Sequence, residues 1–280
     1  MNNKIAIVTG ASSGIGEATA RSLAQAGYTV YGTSRKGGSA SQRGFEMLAL
    51  DVTSDESVAA LVAEVVRRHG RIDLLVNNAG FGVAPAAAQE SSIEQAQAIF
   101  DTNFFGLVRM TRAVLPHMRR QREGRILNIS SVLGLVALPY AALYCATKHA
   151  VEGYSESLDQ ELRTQGVRVS LIEPAYVKTP FDANQLQADA QLPEYRALRA
   201  ALADTVKQAM EKADGPEVVA ATVLKAARDA RPKVRYTSGA MAGRLRALRR
   251  FAPAALVEAG IRKDLKLDSQ PAVGPAAALE

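Results

Sequence analysis

Tyr144 and Lys148 stand four residues apart in a stretch of helical periodicity, so their side chains share one face of a helix. A phenol with an ordinary pKa of about 10 is a poor proton donor or acceptor at neutral pH. A neighbouring ammonium stabilises the phenolate and lowers that value, which suits the pair to acid/base work on a carbonyl or alcohol oxygen. A solvated tyrosine and lysine one turn apart have the same spacing, so the pair needs context. Ser130 and Ser131 supply some of it. They close the apolar run Ile126 to Ile129, where a hydroxyl can hydrogen-bond a substrate oxygen and stabilise charge developing there. Taken alone, the two residues read equally as a serine-rich turn.

Two further segments have the character of binding sites. Residues 9–16 read TGASSGIG. Gly10 suits a tight exit from a strand, Gly14 lets backbone N–H groups approach a pyrophosphate, and Gly16 lets the following helix pack closely on a sheet. With Ser12, Ser13 and Ile15 they form the turn expected to hold phosphates at a helix N-terminus. Residues 33–36 read TSRK. An acidic residue at that strand end would hold an adenosine ribose and repel a 2′-phosphate, whereas Arg35 offers that phosphate a fork. The expected cofactor is therefore NADP(H) ahead of NAD(H).

The elements that must position these groups follow from the hydrophobic pattern. Strands are predicted at 4–9, 28–33, 45–50, 72–76, 125–129 and 167–172, with helices at 14–26, 54–69, 93–119 and 143–164. Such alternation predicts an α/β fold, a doubly wound parallel sheet of Rossmann type with helices on both faces. Ligands of such sheets bind beyond the C-terminal strand ends, and every motif above falls in a loop there or just after it. We read one domain over 1–270, with a mobile substrate lid at about 179–214 and a basic helical tail at about 239–268. The lid rests on small and polar residues such as Ala183, Asn184, Gln187 and Asp189, which promise few anchors. Pro275 to Glu280 reads as a cloning-derived scar.

Composition narrows the class. Apolar residues make up 48% of the 280, enough for a sizeable core. The single cysteine, Cys145, rules out an intrachain disulfide framework, and with three histidines there is no zinc-ligand spacing, so no metal is expected. The start lacks a secretory pattern and no apolar run is long enough to span a bilayer, so the expected location is cytoplasmic. The net charge of +6 gathers in the last quarter, where solvated arginines explain it without nucleic acid.

Taken together, TGASSGIG at 9–16, NNAG at 77–80, Asn103, Ser131, YCATK at 144–148 and Glu173-Pro174 resemble the short-chain dehydrogenase/reductase family, over about residues 5–181. The resemblance implies that Tyr144 is the proton donor in reduction and that Ser131, rather than Ser130, positions the substrate. It implies that Lys148 binds the nicotinamide ribose and that Asn103 holds a water extending the proton relay. It implies that Asp51, with Val52, caps the adenine, that Asn78, Ala79 and Gly80 line its ribose side, and that Pro174, Val177 and Thr179 belong to the nicotinamide loop. Ala175 replaces a glycine common in the family. The two long helices resemble those that build a homodimer or homotetramer in the family.

Around these positions lie Phe81, Val83, Leu133, Leu135, Leu138, Tyr140, Tyr176 and Phe181, without a fixed cation, which favours a small apolar carbonyl or alcohol. The pattern is similar to the branch of retinol, steroid and ketone reductases. Two other readings use the same residues. One is an isomerase or epimerase working by transient hydride transfer, against which the glycine spacing and the lack of a large second domain speak. The other is a non-catalytic NADPH-sensing regulator, which has no need of Asn103, Ser131, Tyr144 and Lys148 together.

Overall fold

The computed structural model describes residues 3–38, 44–181 and 185–269, so Ala183, Asn184 and the stretch 275–280 lie outside the described residues. Seven parallel strands form one sheet in the order β3-β2-β1-β4-β5-β6-β7. They are β1 (Ile5–Val8), β2 (Thr29–Ser34), β3 (Glu46–Ala49), β4 (Leu74–Asn77), β5 (Gly124–Ile129), β6 (Val167–Pro174) and β7 (Arg235–Ser238). Strand order reverses between β1 and β4, which opens a crevice at their C-terminal ends.

The sheet is buried on both faces because β1 is apolar at every position. Ile5 and Ile7 join one core cluster and Ala6 and Val8 the other. The first cluster is completed by α2 (Asp55–His69), α4 (Gly106–Gln121) and α5 (Ala142–Leu162), through Leu61, Val114 and Leu158 among others. The second is completed by α1 (Gly14–Gln25) and α7 (Pro216–Arg228), through Leu23 and Val223. Local chemistry sets the element ends. The Ser54 hydroxyl accepts from the Ser57 N–H at 3.1 Å to start α2, and Gly70 stops it at φ 70°.

Three features depart from the sequence pattern. The helix expected over 93–119 is α3 (Ile93–Phe100), a π-helical turn (Asp101–Phe105) and then α4. Such a turn inserts a residue into the helical ladder and redirects the side chains within it. Strand β7 was not foreseen, because its four residues RYTS carry no apolar run and it is recognised only by its pairing with β6. The segment expected to have few anchors is well tied down. Leu186 N donates to Gly82 O at 2.9 Å, Asp189 accepts from Ser92 N at 2.8 Å, and Leu192 N donates to Glu90 Oε1 at 2.9 Å.

That segment continues into α6 (Arg196–Glu211), whose buried Leu198 and Leu202 pack on Leu265. Leu198 therefore serves the packing of the tail. The tail itself forms α8 (Ala240–Phe251) and α9 (Ala254–Asp264). No helix among the described residues is long and apolar enough to cross a membrane.

Candidate active site

Thr9 directly follows β1 and organises the crevice. Its hydroxyl accepts from the N–H groups of Asn78 at 2.9 Å and Ala79 at 3.0 Å, tying the loop after β4 to the glycine turn. The Asn78 amide donates back to the carbonyls of Thr9 at 2.9 Å and Gly10 at 3.1 Å. Thr9 was not singled out from sequence. It is a strand-end threonine whose value depends on partners some seventy residues away.

Gly10 and Gly14 hold φ of +66° and +58°, which non-glycine residues rarely adopt. At Gly16 the restriction is spatial, since a Cβ there would sit 2.2 Å from the Gly10 carbonyl oxygen. The turn closes on itself with its backbone N–H groups at the N-terminus of α1, where Ser13 is the N-cap residue and its side chain caps no helix N–H. Ser12 and Ser13 are exposed, and Ile15 packs partly onto the α1 side of the core. Thr179 comes over this turn from the loop after β6, and a Cβ on Gly14 would lie 3.1 Å from the Cβ of Thr179. The same loop carries Pro174 at the end of β6 and Val177, which bridges to Asp214.

Arg35 follows β2 directly and is exposed. Asp51 follows β3, and its carboxylate accepts from the Thr53 hydroxyl at 2.7 Å and the Thr53 N–H at 2.9 Å. Those bonds hold it below the usual carboxylate range, and the charges of Arg35 and Arg109 act in the same sense. Val52 is buried beside it, and the atoms of Val52 leave room only for glycine at position 106.

Across the crevice, Lys148 is 6% exposed and its Nζ donates to the Ile129 carbonyl at 2.9 Å. The same Nζ lies 5.5 Å from the centre of the Tyr144 ring. Burial pulls the ammonium down to about 8, against the opposing charge of Glu152. Tyr144 is partly buried and its ring lies 5.8 Å from that of Phe181. Ser131 closes the β5 loop, with Oγ accepting from Leu133 N at 3.1 Å. Its neighbour Ser130 is 2% exposed and faces the backbone of Gly134, so the two serines of the sequence motif occupy different surroundings.

Asn103 sits in the π-helical turn, 2% exposed. Its Oδ1 accepts from Phe81 N at 3.0 Å, and its Nδ2 donates to Phe81 O at 2.8 Å and to the Thr147 hydroxyl at 3.3 Å. It thereby locks the loop after β4 to α5, with Gly80 close under it. Cys145 is buried, accepts from Leu138 N at 3.3 Å, and has its thiol pKa raised by that burial. No cluster of metal-ligating side chains occurs among the described residues.

Residues 4–190 match the model of the short chain dehydrogenase family. The chain belongs to that family. Among curated relatives, the 3-ketodihydrosphingosine reductase of Bacteroides thetaiotaomicron is 44% identical over 66% of this chain and 68% of its own length. Estradiol 17-beta-dehydrogenase 1 of Rattus norvegicus is 38% identical over 85% of this chain and 74% of its own length. Among solved structures, a short-chain dehydrogenase from Streptomyces avermitilis superposes with a TM-score of 0.80 at 30% identity, covering 96% of this chain and 99% of that one. One from Burkholderia cenocepacia, in complex with NADP, superposes with a TM-score of 0.73 at 27% identity, covering 92% and 97%.

The family binds nicotinamide cofactors, and several solved neighbours hold NADP or NADPH. The crevice fits such a group. Its glycine turn has the backbone angles and the bare Cα positions that close approach of a pyrophosphate requires, and its far wall offers a buried ammonium beside a tyrosine.

Proposed function

We propose that this short-chain dehydrogenase is an NADP-dependent oxidoreductase acting on a carbonyl/alcohol pair in a small, mostly apolar substrate. The observation that carries the reading is the buried Lys148 ammonium, held by the Ile129 carbonyl at 2.9 Å with Tyr144 beside it. When bound, the nicotinamide supplies or accepts the hydride. The rest is work for the protein's own groups.

The N–H groups of Gly10 to Gly16, with Ser12, Ser13 and Ile15, take the pyrophosphate, and Arg35 takes the 2′-phosphate. Asp51 and Val52 flank the adenine, Asn78, Ala79 and Gly80 line the ribose side, and Pro174, Val177 and Thr179 face the nicotinamide. Ser131 Oγ hydrogen-bonds the substrate oxygen. Tyr144 Oη gives that oxygen a proton in reduction and takes one in oxidation, and the Lys148 charge stabilises the phenolate that remains. Asn103 keeps the π-helical turn seated on Phe81 and Thr147, leaving the main chain of that turn to hold a relay water. Two copies associate through the faces of α3 to α5.

The substrate reading is supported by the cluster of Phe81, Val83, Ile99 and Tyr144, with Phe181 against Tyr144. A relative named for estradiol, a neutral steroid, points to the same kind of substrate. The deciding experiment follows NADPH and NADH oxidation against neutral ketones, aldehydes, quinones and steroids. Turnover with NADPH on an apolar carbonyl is expected. A requirement for a charged substrate, or a preference for NADH, would overturn the corresponding half of the proposal.

A further inference from the structure

Strand β7 lies beyond the residues matched by the family model, and its first residue reaches under the catalytic helix. Arg235 Nε donates to Glu152 Oε2 at 2.9 Å, its Nη2 pairs with the same oxygen at 2.8 Å, and its Nε also lies 2.9 Å from Glu173 Oε1. Its Nη1 pairs with Glu156. Glu152 is one turn beyond Lys148 on α5 and only 4% exposed. Glu173 is wholly buried and directly precedes Pro174, where the loop over the glycine turn begins.

Gly134 shows how tightly this region is built. A Cβ there would lie 2.9 Å from both Glu152 Cγ and Ser130 Oγ, and 3.1 Å from the Lys148 carbonyl oxygen. The end of β5, the turn that carries Lys148 and the Glu152 side chain therefore form one packed knot. As a source of stability such a cluster is a poor choice, since removing two carboxylates from water offsets most of what pairing returns. Its position suggests another use.

We infer that Arg235 is a positioning residue for the Tyr144–Lys148 pair, keeping Glu152 ionised and fixed one turn from Lys148 so that its charge holds the buried ammonium. The inference rests on the catalytic reading of that pair. The chain of effects is electrostatic. Burial, with the charge of Glu156 adding to it, holds the Glu152 carboxyl above its ordinary range, and the Ser130 hydroxyl and Arg235 oppose that rise and limit it. The charge of Glu152 in turn opposes the desolvation that depresses Lys148. The other charged groups near the cluster are Glu156 on α5, Glu173 on β6 and Arg246 from α8, whose charge also acts on Glu173. Arg235 thus faces Glu152, Glu156 and Glu173, and of these it is the charge of Glu152 that acts on Lys148.

The test is the ionisation of Tyr144 in cofactor-free protein, followed by NMR of ring-labelled tyrosine, with the Tyr144 signal assigned by its loss in Tyr144→Phe. In Glu152→Gln the Tyr144 midpoint should move up by about one unit, because a Lys148 that loses its proton more easily no longer stabilises the phenolate. Arg235→Met should shift it in the same direction, and Arg235→Lys should restore most of the wild-type value. If Arg235→Met does not fold, Glu152→Gln decides, being isosteric and leaving Arg235 paired with Glu156 and Glu173. A folded Glu152→Gln protein with an unmoved Tyr144 midpoint overturns the inference. Failure of the catalytic reading shows separately, as turnover that survives in Tyr144→Phe.

Discussion

Lys148 Nζ sits 5.5 Å from the Tyr144 ring centre while donating its hydrogen bond to Ile129, so the charge is held by the backbone and directed at the phenol by the helix. Tyr144→Phe should cut turnover by at least about a thousandfold and leave NADPH affinity within a few-fold, since it removes the transferred proton and little else. Lys148→Met should lower both rate and cofactor affinity, as a group with two partners must. Steady-state kinetics with fluorescence titration of NADPH checks both.

Arg35, exposed at the end of β2, should decide cofactor choice. Arg35→Asp is expected to weaken NADPH by about ten- to a hundredfold, the worth of one charge-assisted contact, and to leave NADH equal or better. Equal loss for both cofactors would show that Arg35 does not meet the 2′-phosphate.

Glu90 is wholly buried and pairs with Arg199, accepts from Leu192 N at 2.9 Å through Oε1, and accepts from Ala87 N at 2.8 Å through Oε2. One carboxylate thus fastens the segment before α6 to the loop after β4. Glu90→Gln leaves Arg199 without its charge partner and should loosen the segment by about 2–4 kcal/mol. Hydrogen exchange across 185–211 should rise in this variant, with a higher KM. In the wild type, NADPH and a slow substrate together should lower it if the segment closes over the site. No change on ligand addition would mark it as a fixed wall.

Glu173 supplies a stability signature. Burial, with Glu152 adding to it, pushes its carboxyl up to about 7 from an ordinary 4.5. The folded state therefore holds this proton more tightly than the unfolded state. Its contribution is fully present below pH 4.5 and is lost as pH rises through 7. The thermal midpoint of the wild type should fall between those values relative to Glu173→Gln, by at most about 3 kcal/mol of stability. Parallel pH curves for the two proteins would count against this.

Ile93 and Phe105 remain 70% and 48% exposed beside the π-helical turn, an apolar surface that a second copy would cover. Sedimentation at micromolar concentration should give a dimer or tetramer, and Phe105→Glu should shift it toward monomer. A monomeric wild type would refute the association.

Whatever depends on near neighbours along the chain is legible in the residues alone. Apolar runs and helical periods marked six of the seven strands and the helices between them. The glycine turn is legible because backbone angles above zero select glycine locally, and Tyr144 with Lys148 because four residues make one helical turn. The remaining contacts form only once distant segments are folded together. Thr9 reaches Asn78 and Ala79, Glu90 reaches Arg199, and Arg235 reaches Glu152, at separations of 69 to 109 residues. Each partner is an ordinary polar residue whose type is common on protein surfaces, so nothing in its local sequence sets it apart. Asn103 joined the site by resemblance, yet its lock on Phe81 and Thr147 exists only because a π-helical turn redirects it. Such turns arise where packing overrides the ladder of a continuous helix, and periodicity cannot record them.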